Sequence, residues 1–517
     1  MSGYLRRLAT TGAAYTAASI LSKVIAVALL PLYTRYLAPE DYGVAEVLFA
    51  AVVFASIVVR LGLLEAILRF YYLDEEDPAR VVKGTFAGLF WLSTLGASIA
   101  LPLAGPLSEL LFDPSDLPPG VSGAELVQIA IGGLWVLTMW EFMITLFRLD
   151  ERARAFFVTT MLNVLAAIAL TVVLVVGLDE GARGLLLGSY ATGAAFTVAL
   201  IALQWRRLSL LPDPALLRRL FRFGLPTMPA EVSLYALNFA DRLIILRTLG
   251  AAEAGLYSLG VKFAQAVNVL VRGFQLAWPP LAYSIRDDEE ARRFYATVVT
   301  LFVAGCAAVV TGMWLFSRWI VRALADPKFF GSYEVIGLIS VAVTLYALYL
   351  VLVVILGRTG RTEFNLPAAV GALVVNVALN LVLVPPLGIV GAALALVASY
   401  LVVLGLMYIF TERLFPVPYE WGRLLRVVLT VAAIVGLAEL LVPTDGVDGF
   451  LIRGALLAAY PLALWASGFL SAEERRWLSR LRHPRGLLAD IRRTGPAVDG
   501  RVPETYEVER MDEDLRN

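Results

Sequence analysis

The chain has 517 residues, 59% hydrophobic and only 17% charged, with 43 basic and 43 acidic side chains in balance and a mean hydropathy of +0.76. Soluble domains carry roughly 25% charged residues, so this composition excludes an ordinary soluble globule and indicates an all-α polytopic membrane protein. The zero net charge gives no global argument for nucleic acid, and a single cysteine, Cys306, with a single histidine, His483, excludes a disulfide framework or a cysteine–histidine metal site.

About 20 apolar residues cross the hydrocarbon as a helix. On that measure about fourteen spans are expected, at 11–37, 42–70, 82–104, 123–147, 154–177, 182–204, 224–248, 254–285, 293–319, 332–356, 363–384, 388–410, 422–442 and 450–469. No charged leader and small-residue cleavage site precede the first, so the N-terminus is expected to be retained. Alternate loops differ in arginine. Arg6–Arg7, Arg80 with Lys83, Arg148 to Arg154, Arg206 to Arg222, Arg286 to Arg293, Arg358 with Arg361, and Arg413 to Arg426 fall on one side. The other side receives SELLFDPSDLPPGVSGAE, VPPLGIVG and VPTDGVDG, without lysine or arginine; its remaining basic residues, among them Arg35, Arg183, Arg247, Arg318, Arg322 and Lys328, are scattered along the sequence. The positive-inside rule makes the rich side cytoplasmic, with both termini inside.

Between spans six and seven, Leu216, Leu217, Leu220 and Phe221 alternate with Arg218, Arg219 and Arg222, the pattern of a short amphipathic helix at the inner interface or of a solvated basic linker. The expected segments are therefore 1–205, a linker at 206–222, 223–410, two additional helices at 411–470, and a tail at 471–517 that begins as a basic helix and ends disordered.

Spans seven and eight carry ionisable groups inside otherwise apolar sequence. A charge at the bilayer centre costs about 2.5–3.5 kcal/mol on insertion scales, so such residues face a bundle interior or a polar cavity. Glu231, Tyr235, Asn238 and Arg242 share one helical face, with Asp241 beside it, and Lys262, Gln265, Asn268, Arg272 and Gln275 recur at three or four in the next span. Glu65 and Arg69 are spaced for an i,i+4 pair, and Asn163, Asn376 and Asn380 suit helix packing. Pro226, Pro229 and Pro279–Pro280 are expected to interrupt these two spans. Trp140, Trp278 and Tyr235 are candidates for stacking on sugar rings or for interfacial anchoring.

A shift of about 212 residues superposes the first two spans on spans seven and eight: Leu37 on Leu249, Gly43 on Gly255, Arg60 on Arg272, Leu64 on Leu276, Tyr71 on Tyr283, and the acidic turn at Glu75–Asp77 on Asp287–Glu289. Both copies begin on the same side, implying a pseudo-twofold axis along the membrane normal, and such repeats place a transporter's site between its halves.

The stretches YTAASILSKVIAVALLPLYTRYLAPEDYG, FGLPTMPAEVSLYALNFADRLIILRTLGAAEAGLYSLGVKFA and LNLVLVPPLGIVGAALALVASY resemble polysaccharide-lipid flippases of the multidrug/oligosaccharidyl-lipid/polysaccharide exporter superfamily, over most of residues 8–410. The resemblance implies two pseudo-symmetric six-helix lobes plus two C-terminal helices. It implies undecaprenyl-diphosphate-linked glycan as the substrate, moved across the inner membrane by alternating access, with membrane lipid and glycan polymerase machinery as partners, no nucleic acid, and a monomer. The lipid II flippase branch gives the same number of spans.

A lipid diphosphate carries about two negative charges. Lys23, Arg60, Arg242, Lys262 and Arg272 are the candidate cations, arginine offering a bidentate fork and lysine a point charge; Gln265, Asn268 and Gln275 are candidates for sugar hydroxyls. Glu231 and Asp241 are candidates for proton or sodium coupling, because a buried carboxylate can take up a cation; either could instead balance Arg242 or Lys262. No other cofactor is expected. No Gly-Lys dipeptide occurs, so no P-loop drives transport. A drug or metabolite exporter should have an acidic cavity, against the basic excess counted here. An enzyme such as a glycan polymerase should carry catalytic groups on a large outer loop, and the longest, at 105–122, has no His, Lys or Arg.

Overall fold

The structure, a computed structural model, describes residues 21–22, 25–72, 77–117 and 121–470. The expectations for Lys23, for Glu75–Glu76 and for the tail from residue 471 lie outside the described residues. All regular elements within them are helical. In chain order they are α1 (Leu30–Tyr36), α2 (Pro39–Arg60), α3 (Leu63–Phe70), α4 (Pro78–Ala100), α5 (Ala104–Leu111), α6 (Gly123–Leu149), α7 (Ala153–Val172), α8 (Gly181–Gln204), α9 (Pro214–Leu249), α10 (Ala251–Ala264), α11 (Val267–Ser284), α12 (Asp288–Leu324), α13 (Tyr333–Arg358), α14 (Asn365–Leu414), α15 (Trp421–Leu441) and α16 (Gly446–Ala466). One compact unit ends at Tyr460 and a second begins at Pro461.

Ten helices among the described residues are long and apolar enough to cross a membrane. α14 counts once although it holds two of the expected spans, which meet at Gly388, whose φ is 61°. α9, bearing Glu231, Asp241 and Arg242, and the α10–α11 pair, split into 14 and 18 residues, fall outside that criterion.

Helix starts follow local chemistry. Asp77, Asp213 and Asp287 accept the backbone N–H of Ala79, Leu216 and Glu290, with proline at the first helical position after Asp77 and Asp213. The 206–222 linker does not form a separate interfacial helix. From Pro214 it is the first turns of the 36-residue α9, and Leu216 and Leu220 are fully buried. Leu216 packs over Gly84 and Leu217 over Gly88 of α4, so the apolar stripe meets protein rather than lipid, while Arg218, Arg219 and Arg222 stay exposed.

The prolines do not interrupt their helices either. α9 runs through Pro226 and Pro229, and α11 through its proline pair. Membrane helices tolerate internal proline where neighbours satisfy the freed backbone. The interruptions fall instead at Gln265–Ala266 and at Leu61–Gly62, where both residues take left-handed backbone, φ 49° and 73°. At Gly62 only a glycine fits, because its backbone abuts that of Gly224: a Cβ on Gly62 would lie 2.2 Å from the Gly224 carbonyl oxygen.

The two halves of the repeat meet through a pair of repeat-related glycines. Gly43 of α2 and Gly255 of α10 face each other, and a Cβ on Gly43 would come within 1.9 Å of the Ala251 carbonyl oxygen, one on Gly255 within 2.2 Å of that of Pro39. The arginine-poor ends of the halves are joined around this contact. The Asp116 carboxylate accepts from Ala251 N–H at 3.1 Å, Arg247 pairs with Asp113 at 3.2 Å, Asp326 N–H donates to the Thr34 hydroxyl at 3.0 Å, and Lys328 donates to the Arg35 carbonyl at 3.3 Å. Two of the basic residues scattered along the sequence, Arg247 and Lys328, thus meet at this seam. Toward the arginine-rich side, α11 packs on α12 and α13 and leaves Leu270, Arg272 and Leu281 exposed.

This seam predicts that Gly43→Leu cannot close on the arginine-poor side. With Cys306→Ser and spin labels at Glu109→Cys of α5 and Ala323→Cys of α12, both exposed positions, the substitution should shift the label distances to longer values in the absence of substrate. An unchanged distribution would show that the glycine contact does not set this closure.

Candidate functional site

Beneath the glycine contact lies a polar cavity. One part is lined by Tyr235 and Asn238 of α9, Gln265 between α10 and α11, Asn268 and Arg272 of α11, and Tyr346 and Tyr400. A second part shares Tyr235, Asn238 and Gln265 and adds Glu46 and Arg242. The break at Gln265–Ala266 lets one expected span present side chains to both.

The cations are held in different ways. The Lys262 ammonium pairs with the Glu46 carboxylate at 2.5 Å, across the halves, and lies 4.9 Å from the Tyr42 ring centroid. Arg60 pairs with Glu141 and donates to the Ser56 carbonyl at 3.1 Å, with Glu231 and Glu65 in electrostatic reach. Arg242, nearly buried, donates to the Ser258 hydroxyl at 3.2 Å and the Asn238 carbonyl at 2.8 Å. Arg272 is exposed to the cavity and has no ion pair among the described residues. The basic excess read from the sequence is therefore partly neutralised, because Glu46 and Glu141 answer two of its members. Both acids were missed; the signal for Glu46 was an acidic residue one turn beyond Gly43 inside an apolar span.

Asp241 lies outside the cavity in a closed polar node. It is 1% exposed, and accepts from the Asn376 and Asn380 amides, each at 2.8 Å, and from the Tyr257 hydroxyl at 2.9 Å. These asparagines do more than pack helices: they carry the hydrogen bonds of a buried carboxylate. Their own amide oxygens have no hydrogen-bond partner among the described residues. Glu231 is half-buried near Arg60 and separate from this node.

Other expected placements change. Trp278 is buried, donating to the Val351 carbonyl at 3.4 Å and stacked with Phe274, so it is core and not a sugar platform. Trp140 packs edge-on against Phe196, and Tyr235, 45% exposed, is the accessible aromatic of the three. Gln275 is half-buried and does not line either part of the cavity. No Glu65–Arg69 pair forms among the described residues; Arg69 lies over the Phe223 ring at 4.6 Å.

The fold has counterparts. A structure titled lipid II flippase MurJ, inward closed conformation, is similar with a TM-score of 0.64 and 13% identity, covering 88% of this chain and 98% of that one. A multidrug resistance MATE family transporter of the MOP superfamily, in an inward-facing conformation, gives a TM-score of 0.62 at 15% identity over 77% and 95%. In sequence, the succinoglycan biosynthesis transport protein ExoT of Rhizobium meliloti (strain 1021) is 21% identical over 330 residues, 63% of this chain and 64% of that relative's length. The expected resemblance to the exporter superfamily agrees with these likenesses, and the helical multi-pass fold is that of membrane transporters. Residues 9–285, more than half of the chain, match the polysaccharide biosynthesis protein family, and the chain belongs to that family.

Proposed function

We propose that this protein is a flippase that carries an undecaprenyl-diphosphate-linked oligosaccharide from the inner to the outer leaflet of the cytoplasmic membrane by alternating access, with both termini cytoplasmic. The observation that carries the reading is Arg272, a cation without an ion pair among the described residues, on a cavity wall with Gln265, Asn268 and Tyr235. A diphosphate needs a bidentate donor, sugar hydroxyls need amides, and sugar rings suit an aromatic face. The cavity lies below a seam closed on the arginine-poor side, so a headgroup entering from the arginine-rich leaflet meets Arg272 and Arg60 before Lys262 and Arg242. The protein moves its substrate and changes no covalent bond in it.

The acids Glu46, Glu141 and Glu231 favour a second reading, an exporter of cationic drugs or metabolites. It fits less well because Glu46 and Glu141 are already paired with Lys262 and Arg60, whereas Arg272 is open.

Coupling is assigned to Asp241. A buried carboxylate can take up a proton, or a sodium ion if its two amide donors turn their oxygens, unpartnered among the described residues, toward it. The membrane potential also favours outward movement of the anion, by about 2.3 kcal/mol per charge per 100 mV.

In proteoliposomes the wild type should flip a fluorescent undecaprenyl-diphosphate oligosaccharide. A hydrogen bond to a charged group is worth about 1.5–3 kcal/mol, so Arg272→Ala should slow initial flipping about 10-fold or more, and Arg60→Ala should do so too. Flipping at wild-type rate by both variants, or uptake of cationic dyes in place of the lipid, would refute the assignment. Asp241→Asn should bind the lipid as the wild type does yet lose its acceleration by an imposed sodium or proton gradient; retained acceleration by both gradients would remove Asp241 from coupling.

A further inference from the structure

The cross-half pair of Glu46 and Lys262 sits one turn below the Gly43–Gly255 contact, at the closed end of the cavity. Glu46 belongs to α2 and Lys262 to α10, the two helices whose glycines meet. The Lys262 side chain is 35% exposed and that of Glu46 11%, and Glu46 lines the cavity, so the pair stands at the cavity wall with its cation the more accessible partner. An anion that climbs the cavity past Arg272 therefore competes with Glu46 for one cation.

This competition has two consequences. A cavity of bare cations open to a membrane would fill with the monovalent phosphodiester headgroups of bulk anionic lipid, which far outnumber any lipid-linked precursor. With Lys262 already neutralised, a single charge gains little by entering, whereas a diphosphate with roughly two charges can hold Arg272 or Arg242 and still draw Lys262 from its carboxylate. The same exchange removes the ion pair that joins α2 to α10, and the arginine-poor side is then held by the glycine contact, the rim polar contacts and the packing of Tyr42 against Phe329.

Resting on the flippase reading above, we infer that Glu46 is a charge-threshold latch: it selects a diphosphate headgroup over singly charged lipids and releases the closed seam when that headgroup takes Lys262. Binding and opening are then reciprocal. A headgroup that favours the open seam by a given factor binds the open state more tightly by that same factor, and removing the latch is expected both to open the seam and to tighten the binding of weaker anions.

The test uses the spin-labelled pair at Glu109 and Ala323 in nanodiscs of neutral lipid, with undecaprenyl diphosphate, undecaprenyl monophosphate or phosphatidylglycerol added. Wild type should open with the diphosphate only. Glu46→Gln should be shifted toward the open distribution without ligand and should bind the monophosphate and phosphatidylglycerol about 5-fold or more tightly than wild type, coupling factors of this size being ordinary. The exchange Glu46→Lys with Lys262→Glu keeps an ion pair, so it should restore the closed distribution and folding, yet it should not open with the diphosphate. Glu46→Gln with a wild-type distribution and wild-type selectivity, in a protein that still binds the diphosphate, would overturn the latch alone. Failure of wild type to bind the diphosphate, with uptake of a cationic dye, would overturn the functional reading and the latch with it.

Discussion

Charge in a low-dielectric slab must be answered within the protein, and nearly every polar decision in this chain follows from that constraint. The answers are of three kinds. Lys262 and Arg60 meet carboxylates, Arg242 meets a hydroxyl and a carbonyl, and Asp241 meets two amides and a phenol. Each partner comes from a different turn or a different helix, so satisfying the charges also fixes which helices pack. Arg272 departs from the pattern, with no ion pair among the described residues and an exposed place on the cavity wall. A transporter needs such an exception, because a cation fully satisfied by its own protein has nothing left to offer a headgroup.

The helical architecture was legible because an apolar run of about 20 residues leaves few alternatives in lipid. The repeat was legible too, and the Gly43–Gly255 contact gives it a physical cause: residues matched about a pseudo-twofold axis meet each other where the axis passes, and only glycine permits that approach. What remained hidden was partnership across long sequence separations. Arg60 and Glu141, or Glu46 and Lys262, carry no spacing signal, so a count of basic residues alone overstated the charge of the cavity. Local rules also misplaced the helix breaks. Proline has the strongest local claim to a kink, yet α9 and α11 run straight through theirs, while the break at Leu61–Gly62 depends on the distant Gly224.

A second buried charge group shows the same logic with a static outcome. Arg453 of α16 is 1% exposed, pairs with Glu439 of α15 at 2.9 Å and donates to the Leu315 carbonyl of α12 at 3.3 Å and the Ala438 carbonyl at 3.1 Å, and Arg318 of α12 reaches the same carboxylate at 3.5 Å. Breaking a buried pair of this kind costs about 3–5 kcal/mol. No competing ligand can reach Arg453, so α15 and the start of α16 are pinned to α12. Lys262 differs in being reachable from a cavity, and that difference separates an ion pair that holds a scaffold from one that can be exchanged.

Alternating access adds a quantitative demand. Two conformations interconvert usefully only when they differ by a few kcal/mol, and reversing a 1:99 population takes about 5.5 kcal/mol of differential ligand affinity. The observed closure combines two facing glycines, apolar packing such as that of Tyr42 against Phe329, three polar contacts and one salt bridge at the rim, and one deeper ion pair. Two of the rim contacts, Arg247 with Asp113 and Lys328 with the Arg35 carbonyl, are solvent-exposed and individually weak. The deeper pair is the term that, on the proposed latch, a substrate anion takes over. If the latch works as proposed, the closure yields to a headgroup that supplies its own charge, and the energy that opens the seam comes from the same interaction that recognises the cargo.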